Sequence, residues 1–169
     1  KVNLPSICQS DFIGSMAEDE QGNLWLATDH GALQYANNQF TIWNTQTGLS
    51  ANLVQSLLVD DENNVWIGTY SGGVNLLTAQ SFKHFDWKDG LTSASVNAIL
   101  KTKTGNYFIG TEGGLYAFFP EQKVKFKKIV SFPELENQNI VSLSEDEEST
   151  LWICGQDGLF TWSPTSNRF

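Results

Sequence analysis

One segment recurs four times along this chain, and this recurrence restricts the possible folds more than any other feature. The copies read GNLWLATDHGA, NNVWIGTYSGG, GNYFIGTEGGL and STLWICGQDGL. When their central aromatic residues are aligned, the spacings are 41, 42 and 44 residues, and a glycine follows six positions later each time. The aromatic residues are Trp25, Trp66, Phe108 and Trp152, and the glycines are Gly31, Gly72, Gly114 and Gly158. A period of this length indicates a solenoid, a propeller or another repeat array.

Apolar residues that precede each aromatic keep the same phase. A β-branched residue lies twelve positions upstream, at Ile13, Val54, Val96 and Ile140. A second apolar residue follows three places later, at Met16, Leu57, Ile99 and Leu143. Polar segments such as EDEQGN and DDENN then lead to the aromatic, as expected of hairpin turns. Phenylalanine opens a further short run in each copy, at Phe40, Phe82, Phe126 and Phe169.

Each period is predicted to contain four strands, because short runs rich in β-branched and aromatic residues alternate with Gly, Asn and Asp. In the second copy we predict strands at Val54–Val59, Val65–Thr69, Val74–Thr78 and Phe82–Asp86. Four antiparallel strands in about 40 to 45 residues correspond to one propeller blade. The predicted fold is therefore all-β: a β-propeller of about four four-stranded antiparallel blades, at approximately residues 12–45, 53–87, 95–130 and 139–169.

The packing of such blades gives the repeated aromatic a structural role. A large flat side chain fills the wedge between neighbouring blades, so Trp25, Trp66, Phe108 and Trp152 are each expected to be largely buried. Small residues keep the adjacent inner strand close, and Cys154 in this position is predicted to be a small buried hydrophobe. The chain stops as a fourth outer strand begins, which suggests a piece of a larger propeller.

The repeat resembles a known family. The motif G-N-[LV]-W-I-G-T-x-x-G-[GL], with the segments GLSANLVQSLLVDD and GLTSASVNAIL before it, is similar to the two-component regulator propeller repeat. The copies depart from it where Phe108 replaces Trp, WICG replaces WIGT and PELENQN replaces the Gly-Leu turn. The resemblance implies an extracytoplasmic, periplasmic sensor segment of a bacterial, Bacteroides-type hybrid histidine kinase. Its expected partners are a soluble small molecule or oligosaccharide and the rest of the sensor kinase.

Composition and motifs exclude several other classes. The chain has 169 residues, a net charge of −9 and a single arginine, which is unfavourable for nucleic-acid binding. No apolar run has membrane-spanning length, so no membrane contact is expected. No residue pattern predicts a metal site, a cofactor or a catalytic residue, and GTYSGG lacks the lysine of a phosphate-binding loop. A periplasmic setting would allow Cys8 and Cys154 to pair, whereas the alternative is an unpaired Cys154.

The loops between second and third strands, and those between blades, would share one face of a propeller. They vary between copies while their framework repeats, as binding loops on a rigid scaffold do. Their carboxylates, amides and aromatic rings suit a polar, neutral ligand such as a sugar. The predicted ligand-binding residues are Asp29, His30, Tyr70, Ser71, Trp87, Glu112, Gln156 and Asp157.

Two other functions stay open at this point. A carbohydrate-active lyase or glycosidase would need paired carboxylates, which Asp29, Glu112 and Asp157 could supply if their loops converged. A protein-interaction scaffold would need no such residues. Self-association is a further expectation, because an open arc of blades would expose the apolar face of an end blade. We expect the segment itself not to be an enzyme.

Overall fold

A computed structural model describes residues 5, 12–79, 81–130 and 132–163. Its strands form antiparallel sheets in which chain order is also spatial order. The first sheet contains β1 (Ile13–Glu18), β2 (Leu24–Thr28), β3 (Gly31–Ala36) and β4 (Gln39–Trp43). The second contains β5 (Val54–Val59), β6 (Val65–Thr69), β7 (Val74–Leu77) and β8 (Phe82–Phe85). The third contains β9 (Val96–Lys101), β10 (Tyr107–Thr111), β11 (Gly114–Phe118) and β12 (Phe126–Lys128).

The fourth sheet has three strands within the described residues: β13 (Ile140–Glu145), β14 (Leu151–Gly155) and β15 (Gly158–Trp162). The outer strand predicted to begin at Phe169 lies outside the described residues. Short 3-10 helices occupy Trp87–Asp89 and Pro133–Leu135. Within the described ranges, no helix combines the length and apolar character needed to span a membrane. The predicted all-β propeller fold is confirmed, and in the second copy only the ends of the third and fourth strands differ, each by one residue.

A β-bulge near the start of the first strand of each sheet explains the spacing of the apolar residues. In β5 the register shifts between Val54 and Ser56, and the other first strands are irregular at the corresponding place. Residues i and i+2 of a strand normally share a face of the sheet. A bulge inserts one extra residue, so that residues i and i+3 share a face instead. Val54 and Leu57 therefore enter the same apolar core.

The chain divides into two compact units, Lys1–His84 and Phe85–Phe169. In the first unit, one core lies between the first and second sheets. Trp25 and Ala27 of β2 meet Val54, Leu57 and Ile67 of the second sheet there. Burial of these side chains removes apolar area from water, which stabilises the pair of blades by roughly 25 cal/mol for each Å².

The second unit repeats this arrangement between the third and fourth sheets. Phe108 and Leu115 pack with Ile140, Leu151 and Ile153 in a core whose members are nearly inaccessible to water. The aromatic residue of one blade thus covers the aliphatic face of the next in both units. The predicted burial of Trp25, Trp66 and Phe108 is confirmed.

Two predictions for the fourth copy are wrong. The Trp152 side chain is 40% exposed, and Cys154 is exposed rather than buried. Both residues lie on the side of β14 that faces away from the core of the second unit, since Leu151, Ile153 and Gly155 of that strand are the buried ones. No described sheet follows to cover the ring. The suggested pairing of Cys154 with Cys8 cannot be followed, because Cys8 lies outside the described residues.

The segments that lead into the blades share a buried leucine. Leu49 and Leu91 follow glycines with positive φ, at 111° for Gly48 and 99° for Gly90. In the fourth copy PELENQN forms a 3-10 helix instead, and Leu135 is nevertheless fully buried. The loss of the Gly-Leu turn therefore changes the backbone of the connection but keeps its apolar anchor.

Candidate functional site

The turns between second and third strands are closed by the threonine that ends the repeat motif. In the first three copies its hydroxyl donates to a glycine carbonyl across the turn, at Thr28, Thr69 and Thr111. The same hydroxyl accepts a backbone N–H from within the turn. Because these threonines are buried, the exposed residues that follow them are mounted on rigid strand ends.

In the second, third and fourth sheets, the turn between second and third strands is also tied to the connection that leads into its blade. The Tyr70 N–H donates to the Leu53 carbonyl at 2.9 Å. Glu112 and Gln156 make the same bond to the residues seventeen positions earlier, Ser95 and Asn139. Within each of these blades, therefore, the turn and the blade-to-blade connection lie side by side at one end of the sheet.

The predicted residues of the first unit differ in how far they are already engaged. Asp29 and His30 hydrogen-bond to each other, with 2.8 Å between Oδ1 and Nδ1. Tyr70 and Ser71 are exposed, and the described chain offers their side chains no hydrogen-bond partner. A phenol ring and two hydroxyls are thus available at the β6–β7 turn.

In the second unit the Trp87 side chain is 71% exposed. It lies in a 3-10 helix whose ends are fixed, since the Asp86 carboxylate accepts from the Lys88 N–H and the Asp89 carboxylate accepts from the Asp86 N–H. The connection then continues to Ser95, whose carbonyl holds the exposed Glu112 turn. Trp87 and Glu112 therefore belong to one connection-and-turn pair.

Asp157 and Gln156 form the corresponding turn of the fourth sheet. The Asp157 carboxylate accepts from the Gln138 amide at 2.7 Å, so this acid is oriented by the connection that leads into its own blade. No group of three or more His, Cys, Asp or Glu in the described part of the chain is placed to hold a metal ion.

The acidic turns at the opposite ends of the sheets hold residues that sequence reasoning missed. The Asp19 carboxylate accepts from the Trp25 indole N–H at 3.1 Å, and Asp60 and Asp146 bind Trp66 and Trp152 in the same way, both at 2.8 Å. These turns therefore hold the repeat tryptophans as well as joining two strands. A signal was present: the acid stands six positions before each tryptophan, and the copy with phenylalanine has Thr102 there.

Hydrogen bonding to these carboxylates favours their charged form. Burial acts to raise the pKa of Asp19, but bonds from the Asn23 side chain and backbone, the Trp25 indole and the Gln21 backbone together lower the pKa below its ordinary value. For Asp146 the Trp152 indole has the largest effect, and the pKa of this carboxyl is lowered as well. The two carboxylates thus hold tryptophan rings in place.

A cleft of about 330 Å³ lies within the first unit beside these turns. Asn63 crosses between the two sheets there: its carbonyl accepts from the Glu20 N–H and its amide donates to Gln21. The Trp43 indole N–H is buried and has no acceptor among the described residues. Two of the polar side chains that line the cleft, Gln21 and Asn63, are thus engaged in joining the two blades.

Sheets of this kind define a set of β-propeller blades. Residues 9–30 and 48–71 match the model of the family described as two-component regulator propeller, so the resemblance carried by the first two repeats is confirmed. No curated protein matches the chain.

Solved structures share the fold across nearly the whole chain. The extracellular domain of the hybrid two-component system BT3049 from B. thetaiotaomicron is 22% identical with a TM-score of 0.77, covering 94% of this chain and 21% of that one. The extracellular domain of the one-component system BT4673 from the same organism is 25% identical with a TM-score of 0.77, covering 98% and 23%. A catalytically inactive virginiamycin B lyase from Staphylococcus aureus is 10% identical with a TM-score of 0.70, covering 98% and 60%.

The chain therefore spans about a fifth of the length of the two B. thetaiotaomicron domains. The likeness to BT3049 and to the lyase concerns the fold, which a propeller sensor and a propeller enzyme have in common.

Proposed function

We propose that this chain is a ligand-sensing propeller segment of a two-component system, located on the periplasmic side of the membrane. The observation that carries this proposal is the match of two repeats to the two-component regulator propeller family. The likeness to extracellular domains of one- and two-component systems supports it at the level of architecture. In this role the segment binds a soluble ligand and passes the signal to a kinase elsewhere in the protein.

The ligand site that we propose comprises the loops with Asp29, His30, Tyr70, Ser71, Trp87, Glu112, Gln156 and Asp157. Its supporting features are exposed aromatic rings and exposed polar side chains that belong to the same turn or to the same connection-and-turn pair. Tyr70 with Ser71 supplies this combination in the first unit, and Trp87 with Glu112 supplies it in the second. Rings and polar groups together suit an oligosaccharide, whose sugars have apolar faces and hydroxyl edges.

Titration of the chain with a panel of oligosaccharides, followed by calorimetry and product analysis, tests this proposal. Binding without turnover is expected. Product formation would instead support the carbohydrate-active enzyme, and absence of binding to any oligosaccharide would remove the proposed ligand class. If the chain bound a protein and none of the oligosaccharides, the protein-interaction scaffold would be favoured.

The residues are tested by Tyr70→Ala and Trp87→Ala in the full-length receptor, with ligand affinity and kinase output as readouts. We expect each substitution to weaken binding about twofold to tenfold, since the stacking of an aromatic ring contributes about 0.5–1.5 kcal/mol. Phe119→Ala is the control, because Phe119 is an exposed aromatic residue in the turn between β11 and β12, outside these loops. Unchanged affinity in both aromatic variants would exclude these loops as the ligand site.

A further inference from the structure

The second blade has a polar pair of residues where the first blade has an apolar pair. Asn75 of β7 is fully buried and pairs with an isoleucine of β6. The residues that pair with a leucine or an isoleucine in the same way in the other sheets are Leu33, Tyr116 and Phe160. On the outer strand beside Asn75, His84 stands two places after Phe82, as Ile42 stands two places after Phe40 in the first sheet.

The buried amide of Asn75 determines which nitrogen of His84 carries a hydrogen. Its carbonyl oxygen accepts the Ser50 backbone N–H at 3.0 Å and lies 2.6 Å from His84 Nδ1. Because the backbone donor identifies this atom as an acceptor, His84 Nδ1 must donate to it. The lone pair of the neutral ring is therefore on Nε2, on the side away from Asn75. Within the described chain, nothing forms a hydrogen bond with Nε2.

An exposed histidine is thus held in one orientation by a buried group. The His84 ring also stacks on Phe82, with 6.0 Å between the ring centroids and 10° between the planes. Burying an amide is costly unless it is hydrogen-bonded, and the first blade packs with Leu33 and Ile42 at these positions. Packing alone therefore does not require a polar pair. Fixing a hydrogen-bonding group in advance lowers the entropy that binding costs, so the arrangement favours a binding role.

His84 and Phe82 line a pocket of about 420 Å³ within the first unit, between the outer strands β4 and β8. Trp43 contacts Phe82 edge to face at 5.9 Å and lines the pocket too, and both rings are half-buried. The connection after β4 forms another part of the wall and is rigid, since the Asn44 carbonyl accepts the N–H groups of Thr47 and of the leucine two places later. The described lining residues include no Asp, Glu, Lys or Arg. The pocket is therefore preformed, partly aromatic and free of fixed charge.

We propose that this pocket binds one neutral sugar ring. A hydroxyl of the sugar donates to His84 Nε2, and the apolar face of the sugar lies against the rings of Phe82 and Trp43. A phosphorylated or carboxylated sugar is disfavoured, because the described lining offers neither Lys nor Arg to pair with it. The pocket shares no lining residue with the ligand site proposed above, so this inference does not depend on that proposal and either can fail alone.

Nuclear magnetic resonance of the isotope-labelled chain under mildly alkaline conditions tests the proposal. The chain has two histidines, so the ring signals of His84 are identified by their loss in His84→Ala. We expect the hydrogen on Nδ1, and we expect the Nε2 signal to shift and saturate on titration with methyl glucoside, methyl galactoside or N-acetylglucosamine. A hydrogen on Nε2 instead of Nδ1 overturns the proposal. So does an Nε2 signal that none of the three sugars moves.

Calorimetry on variants tests the residues, with circular dichroism to establish that each variant is folded. His84→Ala removes the acceptor and should weaken binding of the sugar about twofold to tenfold, the effect of one hydrogen bond. Asn75→Leu introduces the residue type of the first blade and should lower the affinity while the His84 ring loses its single tautomer. The matched control is Lys83→Ala, because Lys83 is the adjacent exposed residue of β8 and lies outside the pocket lining. Equal affinities of His84→Ala and Lys83→Ala overturn the proposal, and a single tautomer kept in Asn75→Leu overturns the positioning role of Asn75.

Discussion

At the residue scale, the Asp–Trp pair shows how a polar turn and an apolar core depend on each other. The Asp19 carboxylate accepts the Trp25 indole N–H and three further N–H donors, from the backbone of Gln21 and from the backbone and side chain of Asn23. One side chain thus closes the β1–β2 turn and satisfies a donor that is buried between blades. A buried donor without a partner costs about 1–3 kcal/mol.

Replacing this acid should therefore destabilise the fold although it lies in a turn. For Asp19→Ala we expect the free energy of unfolding to fall by about 1–3 kcal/mol, because the Trp25 N–H loses its acceptor. Urea denaturation followed by circular dichroism gives the value. Glu20→Ala is the matched control, since Glu20 is the adjacent acid and is exposed. Equal losses in the two variants would show that the indole bond contributes nothing.

The hydrogen bonds between aspartate and tryptophan also predict how the free energy of unfolding depends on pH. The pKa values of Asp19 and Asp146 are lowered in the folded chain. A carboxyl of this kind stabilises the fold above its unfolded pKa of about 3.9 and loses that contribution as the pH falls through the lowered folded value. The urea midpoint should therefore decline on acidification below about pH 5. This decline should be smaller in Asp19→Ala, and an identical decline in variant and wild type would contradict the assignment.

Residue-level prediction from sequence succeeded where the repeat itself carries the information. The position of the aromatic residue in the repeat identified Trp25, Trp66 and Phe108 as buried, because a large flat side chain at that position fills the space between neighbouring blades. It failed for Trp152, since burial depends on a neighbouring blade that no local motif encodes. It also missed Asp60 as a partner of Trp66, although the two residues keep the same spacing in three copies.

At the element scale, two glycines with positive φ show two separate reasons why a position in a turn or connection favours glycine. Gly90 has a φ of 99°, and a Cβ there would collide with the Phe126 carbonyl oxygen. Gly105 has a φ of 82°, but a Cβ there would meet nothing within 4 Å. The two positions thus separate the cost of left-handed backbone from the cost of close packing.

Gly105→Ala should lower the free energy of unfolding by about 1–2 kcal/mol, the cost of a left-handed residue with a Cβ. Gly90→Ala should lose about 1–3 kcal/mol in addition, because the β12 backbone must move away. Thermal and urea unfolding of the two variants gives the comparison, with each serving as the control of the other. Similar losses would mean that the connection near Gly90 adapts without strain.

Strand positions were predictable because apolar runs and turn residues alternate clearly, as at Val65–Thr69. The β-bulges were not predicted, although the three-residue spacing between the apolar residues Val54 and Leu57 indicated one. The sequence showed that Pro133–Leu135 replaces a Gly-Leu turn. Only the structure showed that Leu135 is buried like the leucines of the other connections. The loop residues of the candidate site were assigned to turns correctly, whereas their ligand contacts stay a prediction.

At the scale of the whole molecule, hydrogen bonds between turns join neighbouring blades within each unit. In the second unit the turns of neighbouring blades are bridged by Lys103. Its backbone N–H donates to the Glu145 carboxylate at 2.7 Å, and its Nζ donates to the Asp146 carbonyl at 2.9 Å. In the first unit Asn63 joins the turns of neighbouring blades, since its carbonyl accepts from the Glu20 N–H and its amide donates to Gln21. In both units, therefore, neighbouring sheets are held together by hydrogen bonds between turns as well as by an apolar core.

Asn63→Ala should therefore lower the free energy of unfolding. The substitution removes two hydrogen bonds between the first and second sheets, and a bond of this kind contributes about 0.5–1.5 kcal/mol, so we expect a loss of about 1–3 kcal/mol. Urea denaturation followed by circular dichroism measures the change. Asn37→Ala is the matched control, because Asn37 is exposed and also has a positive φ, at 50° against 58° for Asn63. If the two alanine variants lose the same stability, the bonds from Asn63 do not help to hold the two sheets together.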